Sequence, residues 1–289
     1  MAEITELEIL AKKINSEMLD THYLYEEYHL HSKLTPTTAK ALARKISSVF
    51  ADPNFVKASK QAFKSYISAD SIKLPSIERT LTGLDQALLK RETTRAFMAK
   101  PLELEEISLI LRTSFGITGQ LGMDDPLYTR SYPSAGGLYP IDCYVISQYE
   151  MDLVPAGVYH YDVKGHRLEC LQRGDVSKEI PSLTNYTKEV ENAALLILMT
   201  ATFPRLSYKY GERGYRFALL EAGHMAQNLY LSATALDIGC MALGGFYDDG
   251  CNQLLDVDGI NESVIYMLAV GHKEQCTSQR VILHKGVDE

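Results

Sequence analysis

The run Ala193–Phe203, AALLILMTATF, constrains the fold of this chain more than any other stretch. A strand with one face in water alternates apolar and polar residues, so a continuous apolar run of this length reads as a strand buried on both faces. IDCYVIS (141–147) and SVIYMLAVG (263–271) are further strand candidates. GVYHYD and HRLECL flank Val163-Lys164-Gly165 and read as a hairpin. LELEEISLILRTSF (102–115) reads as a helix that Gly116 can end. FALLEAGHMAQNLYLSATAL (217–236) is a helix apolar nearly all round, which marks a core helix. Strands and helices mixed with a hairpin predict an α+β fold rather than a strictly alternating array.

Upstream, residues 1 to about 70 read as helical. Ile4, Leu7, Ala11, Ile14 and Met18 recur at helical spacing. Thr35-Pro36-Thr37 has the form of a helix start, with Pro36 near the first helical position, and leads into AKALARKISSVF. NFVKASKQAFKSYI repeats the pattern, and Lys73-Leu74-Pro75-Ser76 breaks it. The predicted division is a helical region, 1–80, and a second domain, 81–289.

The net charge of −8 argues against a nucleic-acid partner, whose phosphates call for clustered Lys and Arg. No apolar run approaches the roughly 20 residues of a membrane span. The charged, periodic start MAEITELEILAKKINSEMLD does not read as a signal peptide. Cys143, Cys170, Cys240, Cys251 and Cys276 are odd in number and contain no CxxC pair, so free thiols in a reducing cytoplasm are expected, without a disulfide framework or a cysteine zinc site. His22, His29 and His31 match no zinc spacing and lie among Tyr23, Tyr25 and Tyr28, which suggests packing; no metal is expected.

Several segments hold candidate chemistry. In KRETTRAF (90–97), an extended backbone puts Arg91, Thr93 and Arg95 on one side, a suitable anion cradle; the alternative is a solvated basic turn. In RSYPSAGGLYP (130–140), Pro133 and Pro140 stiffen the ends, and Ser134, Ala135, Gly136 and Gly137 leave the backbone open to a flat ligand or to a tight turn. There is no GxGxxG after a strand to support a Rossmann nucleotide site. Glu221, His224 and Asn228 share one face of the apolar helix, a polar stripe that needs partners: structural, across a subunit interface, or a polar cofactor. Gly223 in that helix suggests close packing against a backbone or a ring. Leu243-Gly244-Gly245-Phe246 offers backbone N–H groups to a ligand or simply turns the chain. Lys209, Tyr210, Glu212, Arg213, Tyr215 and Arg216 crowd the mouth of the same helix.

The order of these segments, RxTxR, then PSAGGLYP, then KYxxRGYRxALLEAGHxxQN, then GGF, resembles the nitroreductase-like flavoproteins, and within them the SagB/McbC-type dehydrogenases. The resemblance covers about residues 70–272. It implies a central mixed, mainly antiparallel sheet flanked by helices, with FMN bound at a homodimer interface by residues of both chains. It also implies oxidation of thiazoline and oxazoline rings to thiazoles and oxazoles on a ribosomally made, heterocyclised precursor peptide, with a cyclodehydratase complex as a further partner. Carried over, Arg91, Thr93 and Arg95 match the segment that holds the phosphate and ribityl chain. Pro133, Ser134, Gly136 and Gly137 match the loop beside the ring. Gly244 and Gly245 face its reactive edge, Asn228 lies on the central dimer helix, and Lys209-Tyr210 is the catalytic pair. Many relatives place a basic pair after the last strand, but here GHKEQ leaves Lys273 and the more distant Arg280. Azoline oxidation removes a hydride, for flavin N5, and a proton, for a base. Lys209 and Tyr210 side by side, near Arg213 and Arg216, are read as that base and its tuning or orienting partner, since desolvation lowers a Lys pKa and a nearby cation favours phenolate. The competing functions are an NAD(P)H-dependent nitroreductase or quinone reductase on the same fold, and a non-catalytic peptide-binding subunit of a modification complex.

Overall fold

The computed structural model describes residues 24–60, 63–78, 81–122, 126–150 and 153–274. The helix expected over Ile4–Met18, His22, Tyr23, Cys276 and Arg280 lie outside them. The chain divides into two compact units, Met1–Ser47 and Ser48–Glu289. In the first, α1 spans Leu24–His31 and α2 begins at Pro36 within its span Pro36–Phe50. Thr35 and Thr38 cap that start reciprocally: each backbone N–H donates to the other's hydroxyl, at 2.7 and 3.1 Å.

The second unit is built on a seven-stranded sheet: β1 (Ser71–Lys73), β4 (Ile141–Ser147), β5 (Gly157–Asp162), β6 (Arg167–Arg173), β7 (Leu195–Thr202), β8 (Ile238–Leu243) and β9 (Glu262–His272), in the order β1-β6-β5-β4-β7-β9-β8. Each described pairing is antiparallel. The apolar run forms β7, an interior strand between β4 and β9, and its side chains alternate between two cores. Leu195, Ile197, Met199 and Ala201 face one, with α5 (Leu104–Phe115) and the long α9 (Arg213–Ala235). Leu196 and Leu198 face the other, with Val176, Ile180, Leu183 and Val190. The run is unbroken because both faces are covered, each fully buried Leu, Ile or Met contributing about 1.5–3 kcal/mol relative to exposure.

β1 lies N-terminal of the boundary expected near residue 80, and it pairs Ile72 with Leu168 of β6. Ahead of it, the segment expected to continue as a helix instead docks on the sheet. Lys64 donates to Tyr144 (2.6 Å) and ion-pairs with Glu262 (2.7 Å), and the Tyr66 N–H donates to Glu169 (2.8 Å). Gly116 ends α5, though not through a left-handed cap: its backbone is extended (φ −72°), and a Cβ there would stand 2.3 Å from the Arg112 carbonyl oxygen. The chain then forms an unforeseen hairpin, β2 (Ile117–Leu121) with β3 (Leu127–Arg130), which delivers it to the glycine-rich loop.

Candidate active site

The helix mouth differs from its expected form. Lys209 and Tyr210 end a separate helix, α8 (Phe203–Tyr210), and Gly211 turns the chain into α9. This places the pair beneath loop 130–140, which is pinned at several points. Asn228 on α9 donates to the Ser131 carbonyl (3.0 Å). Arg205 on α8 donates to the Tyr139 carbonyl (2.8 Å). The Tyr139 N–H donates to the Ser134 hydroxyl (2.8 Å), and the Arg130 N–H donates to the Tyr139 hydroxyl (3.2 Å). Asn228, expected among the cofactor ligands, is thus engaged in holding the loop.

Held this way, Gly136 and Gly137 both adopt φ +65°, a conformation that favours glycine. A Cβ at Gly136 would stand 2.4 Å from the Lys209 Nζ and 2.6 Å from the Tyr210 hydroxyl. The backbone of the small-residue loop and the tips of both candidate proton-transfer groups therefore meet at one point. Lys209 is only 3% exposed, and no hydrogen bond or ion pair from its amine occurs among the described residues. Its Nζ lies 4.1 Å from the centroid of the Phe50 ring and 5.0 Å from that of Tyr210. Burial holds the Lys209 pKa below the usual lysine value. The rings pull the other way, each cation–π contact favouring the ammonium by about 0.5–1 kcal/mol, but desolvation prevails. The Tyr210 ring packs edge-on against Phe217 (5.0 Å), and burial pushes its phenol upward. This corrects the expectation of a phenolate favoured by Arg213 and Arg216: burial sets both shifts, and the Arg213 guanidinium sits 5.8 Å over the Phe217 ring.

The stripe on α9 is divided. Glu221 is 2% exposed, Asn228 is half-buried and His224 is exposed. Helical spacing puts the three on one face, but the neighbours decide burial. Burial pushes the Glu221 carboxyl up to about 7, against the Ser134 hydroxyl and the Arg130 and Arg205 guanidiniums. Neither of its oxygens has a hydrogen-bond partner among the described residues. Gly223 has no atom within 4 Å of where a Cβ would stand, so the close neighbour expected there is absent from the described residues of this chain.

A second group forms where segment 91–98 runs along β8, the Thr94 N–H donating to the Cys240 carbonyl (3.0 Å), and on to the end of β9, the Met98 N–H donating to the His272 carbonyl (2.9 Å). Arg91 lies over the Tyr230 ring (5.5 Å), and the Thr93 hydroxyl is 3.4 Å from the Tyr230 hydroxyl, which accepts the Ala242 N–H (2.8 Å). Arg95 is exposed, so the structure brings together two of the three predicted cradle residues. Lys273 bridges back to Phe97 through the backbone, and its amine pairs with Asp237 (2.9 Å), itself 93% exposed. The two glycines after β8 differ. A Cβ on Gly245 would collide with Asn185 at 2.3 Å, whereas one on Gly244 would have no described atom within 4 Å. Pro133 is exposed at the loop's start. Tyr230, Arg205 and Phe50 are the participants that sequence reasoning missed. A tyrosine two positions after Asn228 was the one local signal for Tyr230, and none marked the other two.

Comparison with known proteins identifies the family. The nitroreductase family model matches residues 88–272. A nitroreductase-family protein of Methanocaldococcus jannaschii, MJ1384, is 33% identical over 202 residues, 70% of this chain and 96% of that protein. The microcin B17-processing protein McbC of Escherichia coli is 29% identical over 45% of this chain and 49% of its own length. This chain therefore aligns with about half of McbC. Among solved structures, a nitroreductase-family protein of Anabaena variabilis superimposes with a TM-score of 0.68 at 28% identity, over 86% of this chain and 46% of that longer one. The antiparallel sheet is thus a shared framework, and with nearly all of MJ1384 aligned and the family model matching residues 88–272, well over half of the chain, this chain belongs to the nitroreductase family.

Proposed function

We propose that this chain is a cytoplasmic, FMN-dependent dehydrogenase that oxidises thiazoline or oxazoline rings to thiazoles or oxazoles on a ribosomally made peptide. The observation that carries the reading is the meeting of Gly136 with the Lys209 Nζ and the Tyr210 hydroxyl. The resemblance to azoline oxidases and the alignment with McbC, a microcin-processing protein, support the substrate class.

The residues present fit FMN. The open sides of Gly244 and Gly137, where an added Cβ would meet no described atom closer than 3.9 Å, leave the backbone accessible to a flat ring. Arg91, Thr93 and Arg95 offer donors for a phosphate. Lys273 is available as a further contact, because its surface ion pair with Asp237 is worth about 1 kcal/mol or less. FMN, when bound, supplies the hydride acceptor. The chain's own residues handle the proton. Lys209, buried and without a carboxylate partner among the described residues, is the group whose neutral form is made accessible, and its Nζ takes the proton from the ring carbon. Tyr210 keeps its hydroxyl proton and donates to or orients the heterocycle. Loop 130–140 fixes both tips.

Tyr215, Leu219 and Leu220 are exposed on α9 beside Gly223, an apolar face that supports a homodimer with FMN at its interface. A cyclodehydratase that makes the azoline is the further partner. The resemblance to MJ1384 favours a second reading, NAD(P)H-dependent reduction of a small acceptor. Azole formation and flavin content are to be measured for Lys209→Ala and Tyr210→Phe. Loss of turnover with flavin retained is expected, and unchanged turnover with full flavin overturns the roles. Bleaching of the flavin by NADPH but not by the azoline peptide selects the second reading.

A further inference from the structure

Lys209 is covered from outside the family's own module. The family model begins at residue 88, yet the ring over the Lys209 amine is that of Phe50. Residues 48–58 are shaped to present it. The Asp52 N–H donates to the Val49 carbonyl (3.2 Å), and Val49 is buried. Asp52 then accepts the Asn54 N–H (2.9 Å) at the start of α3 (Pro53–Lys60). Phe55 of α3 stacks on Tyr208 (5.2 Å, 27°) and meets Phe50 edge-on (6.4 Å, 83°). Tyr208 is the residue before Lys209, so one aromatic series runs from α8 through the cap and back over the lysine.

The arrangement suits an amine that works neutral. A lysine held as a cation gains most from a carboxylate or from water; among the described residues this one is walled by Phe50 and Gly136, neither of which carries charge, and the cation–π contact of the ring returns less than the hydration it displaces. Tyr210 is the titratable group in ring contact with it among the described residues. Lys209 is 3% exposed although Tyr208 beside it is 50% exposed, so the shielding is local.

We propose that Phe50, braced by Phe55 against Tyr208, is a positioning residue that aims the Lys209 amine at Gly136 and keeps water from it. The segment ahead of the family module thereby completes the candidate active site. This rests on the reading of Lys209 as the proton acceptor and adds the group that makes it one.

The test is the pH dependence of Lys209 acetylation by trace acetic anhydride in the full-length protein as purified, read by mass spectrometry against exposed lysines of the same chain. In Phe50→Ala the midpoint should move up towards the usual lysine value, with labelling of Lys209 near neutral pH slowed about tenfold for each unit of that movement. Phe50→Tyr should restore the wild-type midpoint, and Phe50→Leu should fall between. Phe50 is 51% exposed, so these variants are expected to fold, and circular dichroism checks that they do. An unchanged or lower midpoint in a folded Phe50→Ala overturns the proposal. A raised midpoint accompanied by an alkaline shift of the azole-formation profile supports it in full. A raised midpoint with an unshifted profile still supports the cap, and removes Lys209 as the base.

Discussion

Gly136→Ala separates the fold's tolerance of a side chain from the site's. At φ +65° an alanine costs about 1–2 kcal/mol in backbone strain, which lowers the melting temperature by about 2–4 °C per kcal/mol. The new Cβ would also lie 2.4 Å from the Lys209 Nζ and 2.6 Å from the Tyr210 hydroxyl. Ordinary contact needs about 3.5 Å, so both tips must retreat by about 1 Å. They are the free ends of side chains and can move without disturbing the core, but a displacement of that size at a reacting centre costs about 100-fold in rate. Gly174→Ala is the strain control: its φ of +115° is at least as unfavourable for alanine as +65°, and no described atom lies within 4 Å of the added one. The assay is azole formation per bound flavin, alongside thermal melts of both variants. The expected result is a modest loss of stability in each and a loss of rate confined to Gly136→Ala. A Gly136→Ala enzyme that turns over within threefold of wild type, or equal rate losses in the two variants, would refute the reasoning.

Three further outcomes follow from other contacts. Glu221→Gln should stabilise the protein at pH 8 by about 3 kcal/mol and leave it little changed at pH 5, because a carboxyl raised from 4.5 to about 7 binds its proton more tightly when folded and stability falls as pH rises between those values; equal urea-unfolding differences at both pH values would contradict this. Tyr230→Phe strips the acceptor from the Ala242 N–H, at about 1–3 kcal/mol, and loosens the seat of Arg91 and Thr93, so both the melting temperature and flavin retention on dialysis should drop. The azole-forming rate should climb with pH and level off below the usual lysine value of 10.5, since Lys209 must be neutral to accept a proton; a rate that falls through this range would reverse the assignment of roles.

The sheet was legible because its pattern is local. A strand covered on both faces writes itself as an unbroken apolar run, as β7 does, and the β5–β6 turn as a short Gly-containing break. Ser71–Lys73 carries no such pattern; it is a strand only because β6 offers an edge, a partner distant in sequence. The division of Lys209 from α9 was hidden because α8 and α9 both have helical composition, and only Gly211 and Glu212 separate them. The loop, the Lys-Tyr pair and the two glycines after β8 were found through motif order. What each does could be read only from three-dimensional neighbours: Gly245 accommodates Asn185 whereas Gly244 stays open, and Asn228 holds a carbonyl. Phe50 over Lys209 joins segments that share no sequence motif.

The most direct test is anaerobic spectroscopy of the purified protein. The expected result is a yellow protein, as isolated or after reconstitution with FMN, whose visible absorbance bleaches when an azoline-containing peptide is added, with the peptide emerging two hydrogens lighter. A protein that stays colourless after reconstitution, or a flavin that the azoline peptide leaves oxidised while NADPH reduces it, would contradict it.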